Sequence, residues 1–158
     1  EMKSTGESMG RADSYGEALL KALVSSQVNL PSEGRVFLSL RDKDKENLLP
    51  QIELLNKMGY SLMGTLGTAE FLIQKGIECE AVKKVAEGRP NCVDRIRSGD
   101  VGFVINTTSG REAVEASFSI RRSCIDFSVP CITESDAAIE VISALNSNGK
   151  SGYSVAPL

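Results

Sequence analysis

A chain of 158 residues, 41% hydrophobic and 25% charged, has the length of one domain and the composition of an ordinary soluble globular protein. A formal net charge of −3 without a basic block speaks against nucleic acid as a partner, and no apolar run is long enough to span a membrane. Not one histidine is present, which removes Ser-His-Asp and Cys-His machinery and most metallohydrolase schemes from this chain and favours binding over catalysis.

The opening EMKSTGESMG is polar and lacks the apolar core of a signal peptide. Cys79, Cys92, Cys124 and Cys131 have no C-x-x-C spacing, which suits small buried thiols in a reducing cytoplasm better than a disulfide frame or a zinc site. Residues 1–12 are rich in Gly and Ser without periodicity and read as the tail of a preceding region. Asp13 or Ser14 is placed to cap a short helix with Tyr15, Ala18, Leu19, Ala22 and Leu23 on one face, and Leu30–Gly34 reads as a linker. The expected division is therefore 1–33 as tail, helix and linker, and 34–158 as the domain proper.

From Arg35 strand and helix patterns alternate, the signature of a parallel α/β sheet. Val36–Leu40 is the first predicted strand, followed by a charged loop over Arg41–Glu46. Pro50 is tolerated only in a first helical turn, so the next helix is placed from Asn47 to Met58, with Leu48, Ile52 and Leu55 on one stripe and Gly59 ending it. Tyr60–Gly64 is a second strand, Thr68–Lys75 a helix closed by Gly76, and Glu80–Lys84 a short third strand. Asn91–Arg97 is a short helix ending at Gly99, and Val101–Ile105 a fourth strand. A helix from near Ser117 to near Phe127 follows, then Val129–Thr133 as a fifth strand. The last helix, Asp136–Leu145, turns Ala138, Val141, Ile142 and Leu145 inward, and Tyr153–Val155 is an optional edge strand. Right-handed crossovers place helices on both faces, giving a Rossmann-like three-layer sandwich around a mainly parallel sheet of about five strands.

Three polar clusters fall at carboxyl ends of predicted strands, where open α/β sheets present their ligands. Arg41-Asp42-Lys43-Asp44-Lys45 follows the first strand, Thr65-Leu66-Gly67-Thr68 the second, and Asn106-Thr107-Thr108-Ser109-Gly110 the fourth. Thr65 and Thr68 bring two hydroxyls and a run of backbone N–H groups to a helix N-terminus, which favours an anion; Lys45 and Lys84 are the lysines that would complete a phosphate site. The plainer reading is a Thr N-cap with a glycine for the tight turn and solvated lysines. Likewise, Glu87-Gly88-Arg89-Pro90 carries an arginine towards the same rim or is a turn with a surface charge, and Arg121-Arg122 is a solvated or interface pair. No dinucleotide or Walker fingerprint is present, so bound NAD or ATP is not expected, and no metal site or catalytic residue is assigned.

The ordered segments LSLRDKDKENLLPQIELLNKMGYSL, GTLGTAEFLIQKGI, KKVAEGRPNCVDRIRSGDVGFVINTTSGR and IRRSCIDFSVPCITE resemble the C-terminal regulatory domain of carbamoyl phosphate synthase large chains, a methylglyoxal-synthase-like domain. NTTSGR together with EGRP carries most of the specificity, and EMKSTGESMG resembles the end of the preceding ATP-grasp half. The resemblance implies a noncatalytic allosteric domain that binds UMP as inhibitor and IMP as activator. By position, Lys45, Thr65, Thr68 and Lys84 match residues that hold the nucleotide, mainly its phosphate and ribose. Asn106, Thr107 and Thr108 match the rest of the pocket, and Thr133 matches a threonine of the ornithine-responsive contact with the synthetase region. Leu66 stands where a histidine is familiar, and Ile132-Thr133-Glu134 replaces Asp-Thr-Thr.

The resemblance also implies a parent ligase that makes carbamoyl phosphate from bicarbonate, ATP and glutamine-derived ammonia for pyrimidine and arginine synthesis. That parent would use ATP with Mg2+, with Mn2+ and K+ as further cations, whereas this fragment would carry no cofactor of its own. Expected partners are the remaining large-chain domains, the small glutaminase chain and further copies in a homo-oligomer, with neither nucleic acid nor membrane. Two alternatives stand beside this reading: a methylglyoxal synthase-type lyase, and a purely structural oligomerisation domain.

Overall fold

Side chains alternate across a strand, so each apolar strand residue must find cover on one face of the sheet or the other. The computed structural model describes residues 34–107 and 111–148, with Ala18 and Leu30. Its strands are β1 Arg35–Ser39, β2 Ser61–Thr65, β3 Glu80–Val82, β4 Phe103–Asn106 and β5 Cys131–Ile132. All pair in parallel, in the order β3-β2-β1-β4-β5. Between them run helices α1 Asp42–Lys57, α2 Leu66–Gln74, α3 Cys92–Arg97, α4 Arg111–Asp126 and α5 Ser135–Asn148, with a 3-10 turn at Val85–Glu87.

The alternation produces two cores. On one face Val36, Leu38, Leu62, Phe103 and Ile105 pack with Leu48, Ile52 and Leu55 of α1, Leu72 of α2, and Ala138, Val141, Ile142 and Leu145 of α5. On the other, Phe37, Met63 and Val104 pack with Ile96 of α3 and Ile120 and Cys124 of α4. Phe37 sits beside Met63 and Val104 in register, so these three form one row across the sheet. The three-layer α/β arrangement is the one expected.

Several boundaries differ from expectation. α1 begins at Asp42, not Asn47, and Pro50 lies in its interior. Proline removes the bond to the carbonyl of Glu46, and Pro50 and Glu46 are both exposed, on a flank where solvent can replace the missing donor. Asp42 and Asp44 favour the first turn by placing negative charge at the positive end of the helix. α2 starts two residues early, at Leu66, and α4 six residues early, at Arg111, because residues 111–116 (REAVEA) are good helix formers. β5 is cut to two residues, paired to Val104 and Ile105. Of the helix foreseen around Tyr15–Leu23 only Ala18 is described, and it is helical; the strand foreseen at Tyr153–Val155 lies outside the described residues.

All four cysteines are free thiols, with Cys79, Cys92 and Cys124 buried. Burial, helped by the charge of Glu80, pushes the Cys79 thiol up to about 12. On the opposite surface, Phe118 and Ile125 of α4 stand 66% and 76% exposed.

One close approach sets the spacing of β1 and β2. A Cβ on Gly64 would lie 2.9 Å from the backbone oxygen of Leu38 and 3.3 Å from a Thr68 methyl. Backbone does not yield as a flexible side chain does. Gly64→Ala is therefore expected to destabilise the fold by about 1–3 kcal/mol, seen as a lower urea midpoint at unchanged m-value.

Candidate functional site

The strand order reverses between β1 and β4, and in parallel sheets ligands bind beyond the carboxyl ends at such a switch. Here the ends of β1, β2 and β4 are tied together by two threonine hydroxyls. The Leu40 N–H donates to Thr68 Oγ1 at 3.2 Å, joining the end of β1 to the start of α2. The next N–H, that of Arg41, donates to Thr107 Oγ1 at 3.2 Å, joining β1 to the end of β4. The Thr107 N–H in turn donates to the Ser39 carbonyl at 3.0 Å, extending the β1–β4 ladder by one rung.

Above these ties lies a depression of about 330 Å³, lined by Arg41, Asp42, Lys45, Thr65, Thr68 and Lys84, with Leu40 and Gly67 completing the wall. Thr65 occupies the N-cap position of α2 but makes no side-chain capping bond; its hydroxyl donates instead to Thr68 Oγ1 at 3.1 Å. Thr68 Oγ1 thus accepts two hydrogen bonds, and its remaining capacity is to donate. Gly67 has no positive φ, so the tight-turn role expected for it is not needed. Its backbone carbonyl accepts from Lys45 Nζ at 2.8 Å, and a Cβ there would meet that ammonium only at 3.8 Å, an ordinary contact.

Lys45 is the most engaged charge at the rim. Its ammonium meets Asp42 Oδ1 at 2.7 Å and lies 5.9 Å from the centre of the Phe71 ring. Lys84, half-buried at the head of the 3-10 turn, makes no ion pair among the described residues. Beneath them Asp44 is buried, and Arg41 Nε donates to its carboxylate at 2.6 Å. Burial works to raise the Asp44 pKa, but hydrogen bonds from Arg41 and the Thr107 hydroxyl and the Arg41 charge outweigh it, so the carboxyl titrates below its ordinary value.

Lys45, Thr65, Thr68 and Lys84 therefore share one depression. Asn106 and Thr107 lie below that rim, fully buried or nearly so, and Asn106 Nδ2 donates to Ser117 Oγ at 3.1 Å. Thr108 lies outside the described residues. Thr133, half-buried after β5, is beyond β4 from the depression. Arg89 does not reach this rim; it is exposed, 3.8 Å from Asp94, and lines a second depression with Arg97, Phe118 and Arg122. Arg122 is exposed and paired with Asp126 at 3.1 Å. Asp44 was not among the expected site residues, yet a helix begun at Asp42 puts it on the stripe of Leu48, Ile52 and Leu55, which marks it as buried.

Comparison with known proteins gives the fold and site a family. Residues 47–133 match the family model described as MGS-like domain. The chain belongs to the MGS-like domain family. Among curated relatives it is 46% identical to the carbamoyl phosphate synthase large chain of Myxococcus xanthus over all 158 of its residues, which is 15% of that relative. It is 42% identical over 153 residues to the C-terminal section of the large chain from Methanopyrus kandleri, covering 94% of this chain and 28% of that protein. The MGS-like chain thus spans well under a third of these relatives. Among solved structures, a methylglyoxal synthase from Elizabethkingia anophelis superposes with a TM-score of 0.57 over 72% of this chain and 80% of that one, at 22% identity. That likeness concerns the fold. No described helix is long and apolar enough to cross a membrane, and the described residues hold no group of three or more His, Cys, Asp or Glu side chains placed to ligate a metal.

Asp44→Asn tests the internal anchor of this rim. Replacing a buried, hydrogen-bonded carboxylate is expected to cost about 1–3 kcal/mol at neutral pH. The folded pKa is depressed, so the carboxylate's contribution is complete above the ordinary aspartate value and is lost as pH falls through the lowered one. The stability gap between wild type and variant should therefore narrow below about pH 4 in denaturation curves taken across pH.

Proposed function

We propose that this chain is the effector-binding domain of a carbamoyl phosphate synthase large chain, sensing a nucleoside monophosphate without itself catalysing a reaction. The observation that carries the reading is the gathering of two lysines and two threonine hydroxyls around one depression at the carboxyl edge of a parallel sheet. A phosphate monoester suits this set: Lys84 and Lys45 supply positive charge, Thr68 a hydroxyl donor, and the first turn of α2 its free N–H groups. Asn106, Thr107 and Thr108 are proposed for the ribose or base side; Asn106 and Thr107 are buried below the rim, so their part would be to shape the floor on that side. UMP is proposed as the inhibitor and IMP as the activator, and Thr133 as part of an ornithine-responsive contact with the synthetase region.

The relatives' names support the carbamoyl phosphate synthase part of a wider role, and the rest is proposed with it. The parent would be an ATP-dependent ligase forming carbamoyl phosphate in the cytoplasm, with a small glutaminase chain, and would assemble as a homo-oligomer. ATP and its metal ions would be used in the parent's other domains. Effector control requires two states of the parent with different affinity for the nucleotide.

Calorimetric titration of the folded chain with UMP and with IMP tests the proposal. Saturable, mutually competitive binding is expected, and no binding of either would overturn it. Lys84→Ala should weaken UMP binding about 10- to 100-fold, the effect of removing a charge-assisted phosphate contact. Incubation with dihydroxyacetone phosphate is expected to release no methylglyoxal.

A further inference from the structure

The two lysines of the depression are not equivalent. Lys45 is largely covered, and its ammonium is already held by the Asp42 carboxylate at 2.7 Å and the Gly67 carbonyl at 2.8 Å. Asp42 is the opposite case: its side chain is 95% exposed, and no other ion pair fixes it among the described residues. The two lie three residues apart on the first turn of α1, a spacing that keeps them adjacent for as long as the helix is formed. Asp42 also lines the depression, so its negative charge stands where an anionic ligand would arrive.

Resting on the phosphate-binding reading above, we propose that Asp42 is a built-in competitor for Lys45, occupying it in the free protein and being displaced by the phosphate of the ligand. The hydrogen bond and charge of Lys45 hold the Asp42 carboxyl below the usual carboxylate range, so it is ionised throughout the neutral range. A singly charged anion offers Lys45 no more than Asp42 already does. A dianionic phosphate monoester offers more and displaces it, while Lys84 supplies the first, uncontested contact. Asp42 thereby trades affinity for selectivity towards doubly charged phosphate. Because the displaced carboxylate is exposed, the competition is mild, of the order of an exposed ion pair.

The test is calorimetry with UMP on the 158-residue chain, with folding of each variant checked by circular dichroism. Asp42→Asn is expected to tighten UMP binding roughly two- to fivefold, and Asp42→Ser, which retains a good helix-start residue, to do the same. On a Lys45→Met background the Asp42→Asn gain should vanish. Glu46→Gln, which removes a neighbouring exposed acid paired with Lys75, should change affinity little. Unchanged or weaker binding by both Asp42 variants, while wild type binds UMP, would overturn the competitor role and leave the nucleotide reading standing. An equal gain in Glu46→Gln, or one that survives loss of Lys45, would reduce the effect to general charge and overturn it too. If neither wild type nor variant binds UMP or IMP, the nucleotide reading fails and this inference falls with it.

Discussion

The site depends on two consecutive backbone N–H groups, those of Leu40 and Arg41, each held by a threonine hydroxyl from a different neighbouring strand end. Where β1 ends, its N–H groups lose ladder partners, and a buried N–H left unpaired costs about 1–3 kcal/mol. Thr68 and Thr107 meet that need and in doing so draw the ends of β2 and β4 to the end of β1. The depression is what remains above these ties. Its floor is thus part of the sheet's own hydrogen-bond pattern and is formed without any ligand.

The same hydroxyls serve two purposes. Thr68 accepts from both Leu40 and Thr65 and keeps a donor for the depression; Thr107 accepts from Arg41 and donates to Asp44. In the proposed binding mode, structural and recognition roles would therefore be shared among few atoms. Gly64 belongs to the same economy, since the absence of its side chain lets β1 come close enough for Thr68 to reach Leu40.

Much of this was legible in the sequence, for identifiable reasons. Helix stripes such as Leu48, Ile52 and Leu55, and Val141, Ile142 and Leu145, are periodic and became core. Parallel strands announced themselves as short apolar runs, and the clusters at their ends met because β1 lies between β2 and β4. The start of α1 differs from expectation for a local reason. Pro50 reads as a first-turn marker, whereas an exposed proline is tolerated farther along a helix flank, where solvent can replace the missing donor. The burial of Asp44 and the pairing of Asp42 with Lys45 both follow from helical spacing that begins at Asp42. The direction of Arg89 was not encoded in its neighbours: where a loop side chain points is decided by the chain on either side, and here that chain leads it to Asp94.

Among the described residues the sheet ends in very short strands on both flanks, three residues in β3 and two in β5. An edge of that length presents few unpaired backbone groups, so a second molecule finds little template for strand addition, and propagation of the sheet into fibrillar aggregates is blunted. Any contact between copies would therefore have to rest on side-chain surfaces rather than on backbone pairing, and of such surfaces the helix face bearing Phe118 and Ile125 offers exposed apolar area.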